Sequence, residues 1–108
     1  DRQVLNANGV LKTQGSALAF PTITITGQSV SETSFTVGDQ VIRIEKFTEP
    51  LVMINHPDRP SFKTLSGKVV KWSGDFITID ASHPRQSVGV ILGSGILSLT
   101  FETNWGWV

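Results

Sequence analysis

The segment from residue 93 to residue 107 constrains the fold of this chain more than any other. After the turn signal Gly93-Ser94-Gly95, the residues Leu97, Leu99, Phe101, Thr103, Trp105 and Trp107 alternate with Ser98, Thr100, Glu102 and Asn104. A period of two belongs to a strand with one buried face, so the segment reads as a half-buried antiparallel strand. Glycines ahead of it supply backbone freedom that other residues lack, and the tryptophans bring large apolar bodies to its inner face. Because Trp105 and Trp107 share the face of Leu97, Leu99 and Phe101, they are assigned to core packing rather than to an exposed platform.

The same reading extends through the rest of the chain. In residues 20–26, Ile23 and Ile25 fall on one face and the threonines on the other, with Pro21 at the strand entry, where its missing N–H does least harm. Residues 34–37 and 40–45 flank Gly38-Asp39 as a hairpin, in which Ile42 and Ile44 alternate with Val41, Arg43 and Glu45. Residues 51–54 are apolar on both faces, the pattern of a central strand. Strands are also expected at 68–72 and 76–79, joined by Ser73-Gly74-Asp75, and at 88–92. No helical period occurs, and seven or eight short strands separated by turn residues predict an all-β, antiparallel β-sandwich of the jelly-roll kind. Its expected core is Ile23, Ile25, Ile42, Ile44, Leu97, Leu99, Phe101 and Trp105.

A length of 108 residues suits one domain, and no linker divides it. With no cysteine, disulfides and thiolate metal sites are excluded. Nine basic and nine acidic side chains are interspersed, which is not the footprint of a protein that grips nucleic acid or anionic lipid. The longest apolar run, 88–92, falls far short of the roughly 20 residues of a membrane-spanning helix. The start Asp1-Arg2-Gln3, without Met, reads as the beginning of an excised or trimmed piece.

Catalysis needs convergent titratable groups, and the chain has two His, no Cys and no Tyr. No serine occupies a Gly-x-Ser-x-Gly elbow, and Gly93-Ser94-Gly95 leads into a strand rather than into the helix that a phosphate-cradling loop opens. A carboxylate pair for glycoside hydrolysis would have to come from Asp75, Asp80 and Glu102, which read as turn and surface acids. His56, Asp58 and His83 have metal-ligand chemistry without metal-ligand spacing. The chain is therefore expected to be no enzyme and to need no cofactor.

Binding is the chemistry that remains. Saccharides are held by flat aromatic faces beside groups that pair with hydroxyls. Trp72, between Lys71 and Ser73, points either into the core or outward, while two His-Pro loops supply polar groups. The first carries Asn55, His56, Asp58 and Arg59, and the second His83 and Arg85. Such residues are ordinarily just solvated; brought together with Trp72 they form the candidate ligand-binding set.

Several segments, taken in order, resemble a known family. Residues from Asn8-Gly9 through Phe20-Pro21-Thr22-Ile23-Thr24-Ile25-Thr26-Gly27 resemble the entry into the C-terminal domain of phage distal tail proteins, the baseplate hub proteins of long-tailed phages. Ser73-Gly74-Asp75-Phe76-Ile77-Thr78-Ile79, then Gly93-Ser94-Gly95 and the run from Thr100 to Trp107, are similar to that domain's closing strands. The resemblance implies a galectin-like or carbohydrate-binding-module-like sandwich at the virion tail tip, without the ring-forming domain, so that a ring oligomer is expected only of the full-length protein. It implies a non-catalytic part in host adsorption, through attachment to other tail-tip and baseplate proteins or by holding host cell-wall polysaccharide. A dedicated carbohydrate-binding module of an adhesin or secreted enzyme is the alternative. The family brings no catalytic motif.

Overall fold

The computed structural model describes residues 1–15, 17–81 and 87–105, and its regular elements are all strands. In chain order they are β1 (Arg2–Leu5), β2 (Gly9–Lys12), β3 (Leu18–Ala19), β4 (Thr22–Gly27), β5 (Thr33–Val37) and β6 (Gln40–Ile44). Then come β7 (Leu51–Ile54), β8 (Ser61–Thr64), β9 (Trp72–Ser73), β10 (Ile79–Asp80), β11 (Ser87–Leu92) and β12 (Ile96–Glu102).

Two five-stranded antiparallel sheets, ordered β1-β12-β4-β7-β8 and β2-β11-β5-β6-β9, pack face to face, and β3 and β10 form a separate ribbon. Setting aside β3, β8, β9 and β10 leaves eight strands. The first then neighbours the eighth in one sheet and the second neighbours the seventh in the other, which is the nested order of a jelly roll. The antiparallel β-sandwich expected from the period-two pattern is the observed architecture.

Registry across the first sheet explains which residues form the core. Gln3, Phe101, Ile23, Met53 and Phe62 stand in one row, and Leu5, Leu99, Ile25 and Leu51 in the next. Facing them from the second sheet are Leu92, Phe35 and Ile42 in one row and Val90 beside Val37 in another. Ile23, Ile25, Ile42, Ile44, Leu99 and Phe101 are all buried. Each fully buried side chain of this size contributes about 1.5–3 kcal/mol of transfer free energy. Trp105 is half-buried against the core, and its Nε1 donates to the Asp1 carboxylate at 3.0 Å. Trp107 lies outside the described residues.

Leu97 is a correction. It is 70% exposed, whereas its neighbour Ile96 is only 7% exposed. Ile96 pairs with Gly27 and Ser98 with Thr26, so the register of β12 against β4 shifts between them. A bulge of this kind leaves one residue without a partner and breaks the alternation, which turns Leu97 to solvent.

The expected strand at 76–79 is a second departure. Only Ile79 and Asp80 join a ladder, against Ala19 and Leu18. The backbone of the preceding residues bonds to side-chain amides instead. Gln40 donates from Nε2 to Thr78 O at 2.8 Å and accepts from Thr78 N at 3.0 Å, and Ile77 N donates to Asn55 Oδ1 at 2.6 Å. A side-chain amide carries the donor and acceptor of a peptide group, so it replaces a neighbouring strand without one being present. Gln3 does the same for Lys12, donating to its carbonyl at 2.9 Å and accepting from its N–H at 3.0 Å.

Candidate functional site

The site builds up from the end of β6. Arg43 pairs with Ser73 and Ile44 with Trp72, and Glu45 N donates to Lys71 O at 3.1 Å, so β9 becomes the edge of the second sheet. Trp72, paired with buried Ile44, takes the inward direction of that row and is half-buried. Its ring lies 5.3 Å from that of Phe62 and 5.0 Å from that of Phe76, at interplanar angles of 50° and 68°. Tilted and edge-on contacts of this kind are favoured aromatic geometries, and here they fix the indole between two neighbours.

Beside it lies an open groove of about 380 Å³, lined by Trp72 and Ser73 together with Glu32, Arg43, Glu45 and Lys71. Two carboxylates, a guanidinium and an ammonium around an aromatic wall offer both donors and acceptors with no net charge. That suits a ligand made of hydroxyl groups on an apolar ring. A second groove of about 310 Å³ adjoins it, sharing Glu45, Val70 and Lys71 and continuing along Lys46, Glu49 and Lys68. Glu49 is tied down there: its Oε1 accepts from Ser66 N at 2.7 Å, and this backbone hydrogen bond holds its carboxyl below the ordinary glutamate value.

The first His-Pro loop is elsewhere. It follows the Ile54 end of β7, whereas the Trp72 groove lies where β6 runs over into the Leu51 end. His56 Nδ1 accepts from Asp58 N at 3.1 Å and His56 O accepts from Arg59 N at 3.2 Å, a local turn that leaves Asp58 and Arg59 exposed.

Asn55 is a structural staple. It is 3% exposed, and its Nδ2 donates to Pro21 O at 2.7 Å while Oδ1 accepts from Ile77 N. Buried, and bonded at both Nδ2 and Oδ1 inside the protein, it is not presented to a ligand. Replacing Asn55 by Ala strands the buried Ile77 N–H at a cost of about 1–3 kcal/mol, while Pro21 O keeps the bond from the backbone N–H of residue 55. A urea titration of Asn55→Ala checks this, and a loss below about 1 kcal/mol shows that water replaces the amide.

His83 and Arg85 lie outside the described residues. Of the expected set, therefore, Trp72 sits in a groove while Asn55, His56, Asp58 and Arg59 stand apart from it. Sequence reasoning missed Arg43, Glu45, Glu32 and Lys71. Arg43 and Glu45 alternate with Ile42 and Ile44 and so read as one strand's solvent face; only the long-range pairing with β9 sets them beside Trp72.

Fold and groove together define a jelly-roll sandwich with an aromatic-walled polar groove at one end. No protein-family model matches the chain, and neither the curated proteins nor the solved structures contain a match.

Proposed function

We propose that this domain is a non-catalytic module of a phage tail tip, part of a distal tail or baseplate protein of the virion. In this reading it serves host adsorption, attaching to neighbouring tail-tip proteins and holding host cell-wall saccharide against Trp72. The ordered resemblance of residues 8–27, 73–79, 93–95 and 100–107 to the C-terminal domain of distal tail proteins supports the tail-tip setting. The groove between Trp72, Arg43 and Glu45 supports the saccharide. That same groove favours a second reading, a dedicated carbohydrate-binding module of an adhesin or secreted enzyme, because it needs nothing from a tail to work.

A glycan array and a cell-wall pull-down test the saccharide reading. Wild type is expected to bind, and Trp72→Ala to weaken binding by about tenfold, as loss of an aromatic contact implies. Since Trp72 also packs on Phe62 and Phe76, the exposed Arg43→Gln serves as the companion variant: it leaves the melting temperature unchanged and still weakens binding. If wild type binds no saccharide while the full-length protein assembles into rings, the domain is an attachment module only. If binding survives both substitutions, the groove is the wrong site.

A further inference from the structure

The chain is neutral as a whole, yet cations outnumber carboxylates at one end of the fold. Arg43, Lys46, Lys63, Lys68 and Lys71 gather at the end where β6, β7 and β8 are linked by residues 45–50 and 65–71. The carboxylates among them are Glu32, Glu45 and Glu49, the last accepting from Ser66 N and kept ionised with Lys68 nearby, so five cations stand against three carboxylates. Of the aspartates, Asp75 follows β9 closely, while Asp39 lies in the β5–β6 turn, Asp58 in the β7–β8 loop, Asp80 in β10 and Asp1 against Thr103. That excess of two cations creates a local field that a net charge of zero hides.

The two grooves at the cationic end adjoin. Because they share Glu45, Val70 and Lys71, they form one trough that starts at Trp72 and ends beside Lys46 and Lys68. A monosaccharide against Trp72 would leave the second half empty. A linear chain several sugar units long fills both.

We infer that the ligand of this trough is an anionic glycan, its sugar rings against Trp72 and its negative substituents at Lys46, Lys68 and Lys71. The inference rests on the saccharide reading proposed above and narrows it. The trough grades from a balanced set of charges around Trp72 to an excess of ammonium groups in its second half. An ammonium is a compact point charge with rotatable donors, suited to anionic groups spaced along a flexible chain. A neutral glycan gains nothing from this gradient. An acidic one is oriented by it.

The test uses the domain with immobilised dextran, chitohexaose and cellohexaose as neutral probes, and polygalacturonate, hyaluronate and a glycerol-phosphate-linked glycan as anionic ones. Polyphosphate and phosphatidylglycerol vesicles are the controls for charge without sugar. The anionic glycans are expected to bind at least about tenfold tighter at low salt, with the advantage shrinking as screening rises toward 1 M salt. The triple variant Lys46→Gln, Lys68→Gln, Lys71→Gln removes the advantage, while Trp72→Ala weakens every glycan. All three lysines are exposed, so the triple variant keeps its fold. Binding to neutral glycans alone, or a preference for anionic ones that survives the triple variant, overturns this inference and leaves the saccharide reading standing. Equal binding to polyphosphate or to vesicles also overturns it, assigning the lysines to a general polyanion or lipid surface. If no glycan binds, both readings fall together.

Discussion

Phe101→Ala is expected to lower the unfolding free energy by about 3–5 kcal/mol, whereas Leu97→Ala in the same strand changes it by less than about 0.5 kcal/mol. Phe101 is 1% exposed and stands between Gln3 and Ile23 in a row that spans the first sheet. Removing its ring forfeits the transfer free energy and leaves a cavity under β12, which is paired on both sides and has little room to collapse. Leu97, at the bulge, has no comparable packing to lose. Equilibrium urea denaturation of the two variants measures the contrast directly. A loss below about 1 kcal/mol for Phe101→Ala, or a loss above 2 for Leu97→Ala, means that the inward and outward faces of β12 are exchanged.

That contrast also marks how far the sequence could be read. Strict alternation carried the assignment of Ile23 and Ile25 in β4, Ile42 and Ile44 in β6, and Leu99 and Phe101 in β12, because one face of each meets the core. It failed at Leu97, where the one-residue shift comes from the fit of β12 onto Gly27 rather than from its own pattern. The short strands β1, β2 and β8 were invisible for a different reason. Ser61-Phe62-Lys63-Thr64 buries only Phe62 and Gly9-Val10-Leu11-Lys12 only Leu11, too little periodicity to signal a strand. These are outer strands of their sheets, held by pairing with a neighbour that no local window contains. The strand expected at 76–79 had the right composition, but its hydrogen bonds were supplied by Gln40 and Asn55 from 38 and 22 residues away.

The candidate site was legible only as residue types. Trp72 was identifiable because a tryptophan between Lys71 and Ser73 is conspicuous at any register. Its partners were not, since Arg43 and Lys71 meet only through the pairing of β6 with β9. The His-Pro loop misled in the opposite direction. Asn55 ties two segments together, its amide accepting from Ile77 N and donating to Pro21 O. Polar residues in a loop report unmet hydrogen bonds as readily as they report a ligand.

Gly27→Ala is expected to cost more than about 4 kcal/mol, in the range reserved for a named structural failure. The backbone of Gly27 has φ of 135°, a region that L residues enter only under strain of about 1–3 kcal/mol. Space is shorter still: a Cβ there would lie 2.1 Å from the carbonyl oxygen of Gly95. Gly95 is as tightly placed, because a Cβ on it, at φ of 82°, would lie 2.3 Å from Gln28 O. Gly27 makes room for the backbone of Gly95 and Gly95 for that of Gln28, and Gln28 N donates to Gly95 O at 3.1 Å. Pushing these segments apart breaks that bond and lifts the start of β12 off β4 at the bulge. Gly89→Ala is the control. Its Cβ would meet nothing within 4 Å, and it sits within β11, where replacing glycine removes unfolded-state entropy and stabilises by about 0.4–1 kcal/mol. Thermal and urea unfolding of the pair read out opposite signs if the close approach is what holds the register. A Gly27→Ala protein of near wild-type stability would show that the bulge slides, and amide hydrogen exchange at Ile96 and Ser98 would then lose its protection. The outward position of Leu97 depends on that lock, because a β12 free to slip by one residue would regain its alternation and bury Leu97 in place of Ile96.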